Sequence, residues 1–140
     1  MGKETNIYIT KTDYERLTKL IEIARERESD ANREYIDRLE EELDRAEVVQ
    51  QKHISADVIT MRSTVRLKDL DTSEEMVYRL VFPTEANYDE GKISVLAPIG
   101  TAMLGYQRGN VIEWQVPSGV RRLSVEKILY QPESRGDYHL

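Results

Sequence analysis

The sequence contains no cysteine, which removes disulfides, thiolate nucleophiles and thiolate-bound metals from consideration. Histidine is nearly as scarce: His53 and His139 stand far apart in the chain, too little material for a zinc centre. No stretch approaches the roughly 20 consecutive apolar residues of a membrane span. The opening Met1-Gly2-Lys3-Glu4-Thr5-Asn6 lacks the apolar core of a signal peptide. These absences point to a cytoplasmic protein with no membrane partner and argue against a metalloenzyme built on His or Cys; no catalytic residue, metal ligand or cofactor is assigned, and the protein is not expected to be an enzyme.

What is present is charge. Of 140 residues, 33% are charged and 39% hydrophobic, with a formal net charge of -6, enough apolar material for one core and a projecting element. The segment from Asp13 to Lys52 carries 13 acidic and 8 basic residues, net -5, and the remainder is close to balanced. An acidic arm is repelled by phosphate backbones, so sequence-independent nucleic-acid binding through this segment is not expected, and no direct sequence-specific binding is expected of the chain; a basic protein surface or a metal ion suits the arm better.

Asn6 to Thr10 alternates apolar and polar residues, as a short extended lead-in does. Thr12-Asp13-Tyr14-Glu15 has the spacing of a capping box and predicts a helix start. Tyr14, Leu17, Ile21 and Ala24, widened by Leu20 and Ile23, then form one helical stripe. The pattern fades between Glu26 and Asn32, where Ser, Asp and Asn favour caps and turns, and this is the predicted hairpin tip. A second stripe of Tyr35, Leu39, Leu43 and Ala46, with Ile36 beside it, completes two antiparallel helices of about 15 to 18 residues, each roughly 22 to 27 Å long. From His53 onward β-branched runs are punctuated by Gly and Pro. Strands are predicted at Val58–Met61, Thr64–Leu67, Met76–Phe82, Ile93–Val95, Val111–Val116 and Arg122–Tyr130, with one short helix within Pro98–Gly105. Pro132 to Leu140 lacks apolar periodicity and reads as a surface tail. The fold class is therefore α+β: residues 1–53 hold the lead-in and helical hairpin, and 54–140 a β domain with its tail.

The globular half resembles the C-terminal domain of the Gre transcript-cleavage factors through Ser63-Thr64-Val65-Arg66-Leu67, Gly91-Lys92-Ile93-Ser94, the run from Ala97 to Gly105, and Pro117-Ser118-Gly119. Within that superfamily it is more similar to the regulator of nucleoside diphosphate kinase family, through Asp57-Val58-Ile59-Thr60-Met61, Val81-Phe82-Pro83, Ile112-Glu113-Trp114 and Tyr130-Gln131-Pro132-Glu133. The resemblance implies an FKBP-like antiparallel β domain behind a short antiparallel coiled coil. It also implies a transcription regulator that docks at the secondary channel of RNA polymerase, with the globular domain on the rim and the hairpin directed inward, competing with other channel-binding Gre factors. The hairpin is shorter than in the cleavage factors, which argues against effective transcript cleavage.

Two places carry candidate site residues. Glu28 and Asp30 occupy the predicted tip, where the cleavage factors hold Mg²⁺ with acidic residues; they serve either as polymerase-channel contacts or as ordinary acidic helix ends and caps. Ala97, Pro98, Ile99 and Gly100 resemble the loop with which related factors touch the polymerase rim, and equally suit a strand-to-helix turn. Tyr106 and Trp114 fit core better than interface, and His53 fits a linker. FKBP-like topology raises prolyl isomerisation, but a single Phe and a single Trp give little for a proline pocket. An adaptor acting on nucleoside diphosphate kinase, without polymerase, is the other alternative.

Overall fold

The computed structural model describes residues 5–27 and 30–140. Strand β1 (Tyr8–Thr10) leads directly into α1 (Lys11–Glu26), α2 (Asp30–Arg45) returns, and β2 (Glu47–Val49) pairs parallel with β1. The hairpin thus begins and ends in one small sheet. Each helix has 16 residues, about 24 Å at 1.5 Å per residue. The cap of α1 is Thr10 rather than Thr12: the Asp13 N–H donates to Thr10 Oγ1 at 3.0 Å. The helix starts earlier than the capping-box spacing indicated because β1 delivers Thr10 in extended conformation at the junction. Along α1, Leu17 and Ile21 are buried and Tyr14, Leu20 and Ala24 pack against them, while Ile23 is exposed. On α2 the buried stripe is Ile36, Leu39 and Leu43, and Tyr35 faces solvent. Successive steps of four drift around a 3.6-residue helix, so the 36-39-43 spacing holds the facing side better than 35-39-43.

The second half is a five-stranded sheet in the order β5-β4-β3-β7-β6. Its strands are β3 (Thr64–Asp69), β4 (Glu75–Val81), β5 (Lys92–Ser94), β6 (Val111–Val116) and β7 (Gly119–Tyr130). All neighbours are antiparallel except β4 and β5. Alternation along β3 sends Val65 and Leu67 inward, where they meet Leu80, Ile93, Ile112, Leu123 and Val125 under the short helix α3 (Pro98–Met103). Val58–Met61 is not a strand. The Ile59 N–H bonds the Tyr106 carbonyl, Thr60 N–H the Ser63 hydroxyl and Met61 N–H the Asp13 carboxylate, which leaves no ladder to form. Arg62 then turns the chain with φ +67°.

The C-terminal segment is not a free surface tail. Gln131 and Glu133 are buried, and Gln131 Nε2 donates to the carbonyls of Ser55 and Val58 at 2.7 and 2.8 Å. Arg62 Nη1 reaches the Leu140 carbonyl at 2.9 Å, and Arg16 reaches it from α1. Partners this distant in sequence leave no periodic trace in residues 131–140.

Candidate docking surfaces

The Ala97–Gly100 loop is built from close backbone approach. Pro98 takes the first helical position of α3, where its missing N–H costs nothing, and Ala97 is the cap residue. A Cβ at Gly100 would lie 2.0 Å from the Ser94 carbonyl oxygen, so no larger residue fits between α3 and β5. Thr101 Oγ1 donates to the Val95 carbonyl at 2.6 Å and locks the next residue. Of the four sequence candidates, Ala97 and Pro98 reach the surface; Ile99 and Gly100 are buried and support them from beneath.

Pro98 borders a cleft of about 390 Å³ between α2, α3 and β6. Arg38, Glu41 and Glu42 line it from the hairpin, Thr101 and Ala102 from α3, and Glu113, Trp114 and Gln115 from β6. The chain brings these together from positions more than 50 residues apart, and no local spacing announces them. Trp114 is half-buried on this wall, with the Arg121 guanidinium 5.6 Å from its ring centroid. Tyr106 is buried, as expected of a core residue, and its hydroxyl meets Arg45 at 3.4 Å; burial pushes its pKa up. Arg45 also donates to Glu42, so a half-buried ion pair stands beside Tyr106 at the edge of the cleft that Glu42 and Tyr106 line.

The hairpin is tied to the domain at a second place. Asp13, 3% exposed, accepts the Met61 N–H at 3.0 Å. Beside it, Glu133 Oε1 accepts from the Thr60 hydroxyl at 2.7 Å. Removal from water raises the Asp13 pKa from 3.8 to about 7; the Met61 N–H opposes that, the Glu133 charge adds to it, and Arg16 offsets part. Tyr8 N–H bonds the Gly105 carbonyl at 3.1 Å, and Gly105 itself sits at φ +82° with no room for a Cβ against Ile7. Hairpin and domain are therefore joined by backbone bonds as well as packing.

Of the tip candidates, Glu28 lies outside the described residues, and Asp30 is the first residue of α2. His53 is exposed in a single 3-10 turn, Gln51–His53, between the two halves.

The family model "Rnk N-terminus" matches residues 5–49, and "Transcription elongation factor, GreA/GreB, C-term" matches 54–130. The "Regulator of nucleoside diphosphate kinase" of Escherichia coli (strain K12) is 38% identical over 135 residues, 96% of each chain. The chain belongs to the regulator of nucleoside diphosphate kinase family, within the GreA/GreB superfamily. "Transcription elongation factor GreA" of Desulfotalea psychrophila is 34% identical over 140 aligned residues, covering 90% of this chain and 87% of that one. Among solved structures, a "Prokaryotic transcription elongation factor GreA/GreB" from Nitrosomonas europaea superposes with a TM-score of 0.73 at 40% identity, covering 89% of this chain and all of that one. The Gre-type architecture of hairpin followed by curled sheet is thus shared along about nine-tenths of the chain. The boundary between the two matched models falls at residues 50–53, where the 3-10 turn links β2 to the β domain.

Proposed function

We propose that this protein is a non-catalytic accessory factor of bacterial RNA polymerase that docks at the secondary channel and competes there with other Gre-type factors. The observation that carries the reading is the anchored hairpin. Two 16-residue helices are held to the globular domain at Asp13–Met61, at Tyr8–Gly105 and through the Arg45–Tyr106 contact. An arm fixed in this way is positioned by whatever the domain binds. Ala97 and Pro98, which reach the surface where α3 begins beside the cleft, are the rim contacts of this reading. Asp30, the first residue of α2, and Glu28, outside the described residues, are the channel-side contacts of this reading. The mechanism is occupancy: a factor seated on the rim excludes others from the same entry, and one with a short arm does so without driving RNA cleavage.

A competition experiment tests this. Stalled, backtracked polymerase is mixed with a cleavage factor, this protein is titrated in, and both polymerase binding and RNA shortening are followed. Binding with suppressed shortening is the expected result. Shortening by this protein alone would make the tip catalytic, and absence of binding would sink the proposal. The name of the Escherichia coli relative favours a second reading, an adaptor acting on nucleoside diphosphate kinase. Recovery of that kinase but no polymerase subunits in a pull-down would support it.

A further inference from the structure

The sheet has a second face that none of the contacts above uses. Strand alternation puts Arg66 and Lys68 of β3 on the side opposite Val65 and Leu67. In register, Arg66 lies opposite Lys127 of β7, and Arg79 of β4 lies one pair further along, opposite Thr64. Tyr130, also opposite Thr64, is flanked by two guanidinium groups, Arg79 at 5.6 Å and Arg135 at 6.0 Å from its ring centroid. Among the described residues, Arg66, Lys68, Arg79, Lys127 and Arg135 form no salt bridge, whereas Arg25, Arg38, Arg45, Arg62, Lys92 and Arg121 each have a carboxylate partner. Like charges directly across a strand pair are destabilising, yet Arg66 and Lys127 stand in that relation at the centre of the face. Arg66 Nε is also buried without a hydrogen-bond acceptor, a donor left unmade at a cost.

We infer that this outer face of β4, β3 and β7 binds the phosphate backbone of nucleic acid without reading its sequence. Unpaired cations at strand spacing match a ligand of dense, regular negative charge. An acidic protein partner would call for apolar or aromatic anchors at the centre, and here the centre is Arg66 and Lys127, with Val77 the neighbouring exposed apolar side chain. Two guanidinium groups already lie near the Tyr130 ring and compete with base stacking on it, which favours contacts to phosphates. Most of the acidity that opposes such binding lies in the hairpin segment from Asp13 to Lys52; on the face itself Glu75 stands opposite Lys68 in register and Asp137 accepts the Tyr130 hydroxyl, so the cationic centre is Arg66, Arg79 and Lys127. This inference is independent of polymerase docking and is tested without polymerase.

Fluorescence anisotropy of a labelled 20-nucleotide single strand of mixed sequence, titrated with the full-length chain between 50 and 200 mM KCl, reads the effect. With four or five phosphates engaged, log K falls against log salt with a slope of about −3 to −4. A second strand of unrelated sequence gives the same curve. The Arg66→Gln/Lys127→Gln variant weakens binding about tenfold or more at 50 mM KCl and flattens the slope by about 1.5. A Lys11→Gln/Lys19→Gln variant on the hairpin leaves both unchanged, and circular dichroism of each variant verifies folding. No binding at 50 mM KCl, binding undiminished in the sheet variant, or tighter binding of poly-glutamate than of the oligonucleotide would each overturn the inference.

Discussion

Asp13 makes the attachment of the hairpin to the domain sensitive to pH in a direction opposite to that of an ordinary paired carboxylate. Its pKa rises from 3.8 to about 7 in the folded protein, chiefly through burial. The folded state therefore holds a proton that the unfolded chain has released. The stability this gives is fully present below the unfolded value and is lost as pH climbs through the folded one, between about pH 4 and 7. A shift of about 3 units corresponds to about 4 kcal/mol, of which roughly 3 kcal/mol falls between pH 5 and 8. That is a large part of the typical 5 to 15 kcal/mol of a folded domain. Asp13→Asn keeps an oxygen for the Met61 N–H and does not ionise beside Glu133. Urea unfolding of both proteins at pH 5 and pH 8 isolates the effect, because every other carboxylate is common to them. The wild type is expected to lose roughly 3 kcal/mol more than the variant over that interval. A stability difference between the two proteins that is equal at pH 5 and pH 8 would refute the assignment of Asp13 as a protonated group.

Three further outcomes are expected. Thr10→Ala removes the α1 cap hydrogen bond to Asp13 N–H and lowers stability by about 1 kcal/mol in denaturant titration. Gly100→Ala drives a methyl against the Ser94 carbonyl, costs about 2 kcal/mol or more, and disturbs the near-UV signal of Trp114 across the cleft; a variant with unchanged melting would show that α3 is not packed as described. Pro98→Asp leaves a residue suited to the first turn of α3, so melting stays within about 0.5 kcal/mol. Polymerase affinity should then fall about tenfold if Pro98 lies on the docking surface. Unchanged affinity would remove it from that surface.

The sequence by itself determined the division into an acidic hairpin and a β-rich second half, because helical and strand periodicities are local and each stripe was present in its own segment. Leu39 and Leu43 of the predicted α2 stripe, with Ile36 beside it, are buried while Tyr35 is exposed, and five of the six predicted strands correspond to the structure within a few residues, apart from the longer reach of β7 back to Gly119. Motif resemblance supplied the family from short runs that need no tertiary information. Tertiary structure alone decided the features whose partners are far apart. Thr10 became the cap because β1 pairs with β2 across the whole hairpin. Val58–Met61 lost its strand character because its N–H groups are taken by Tyr106, Ser63 and Asp13. The segment after Pro132, featureless in sequence, is held by Thr60, Arg16 and Arg62. The cleft beside Pro98 and the unpaired cations of the sheet's outer face likewise exist only once register is set. Pairing across strands and helices depends on residues distant in the chain, and no window of the sequence contains both partners.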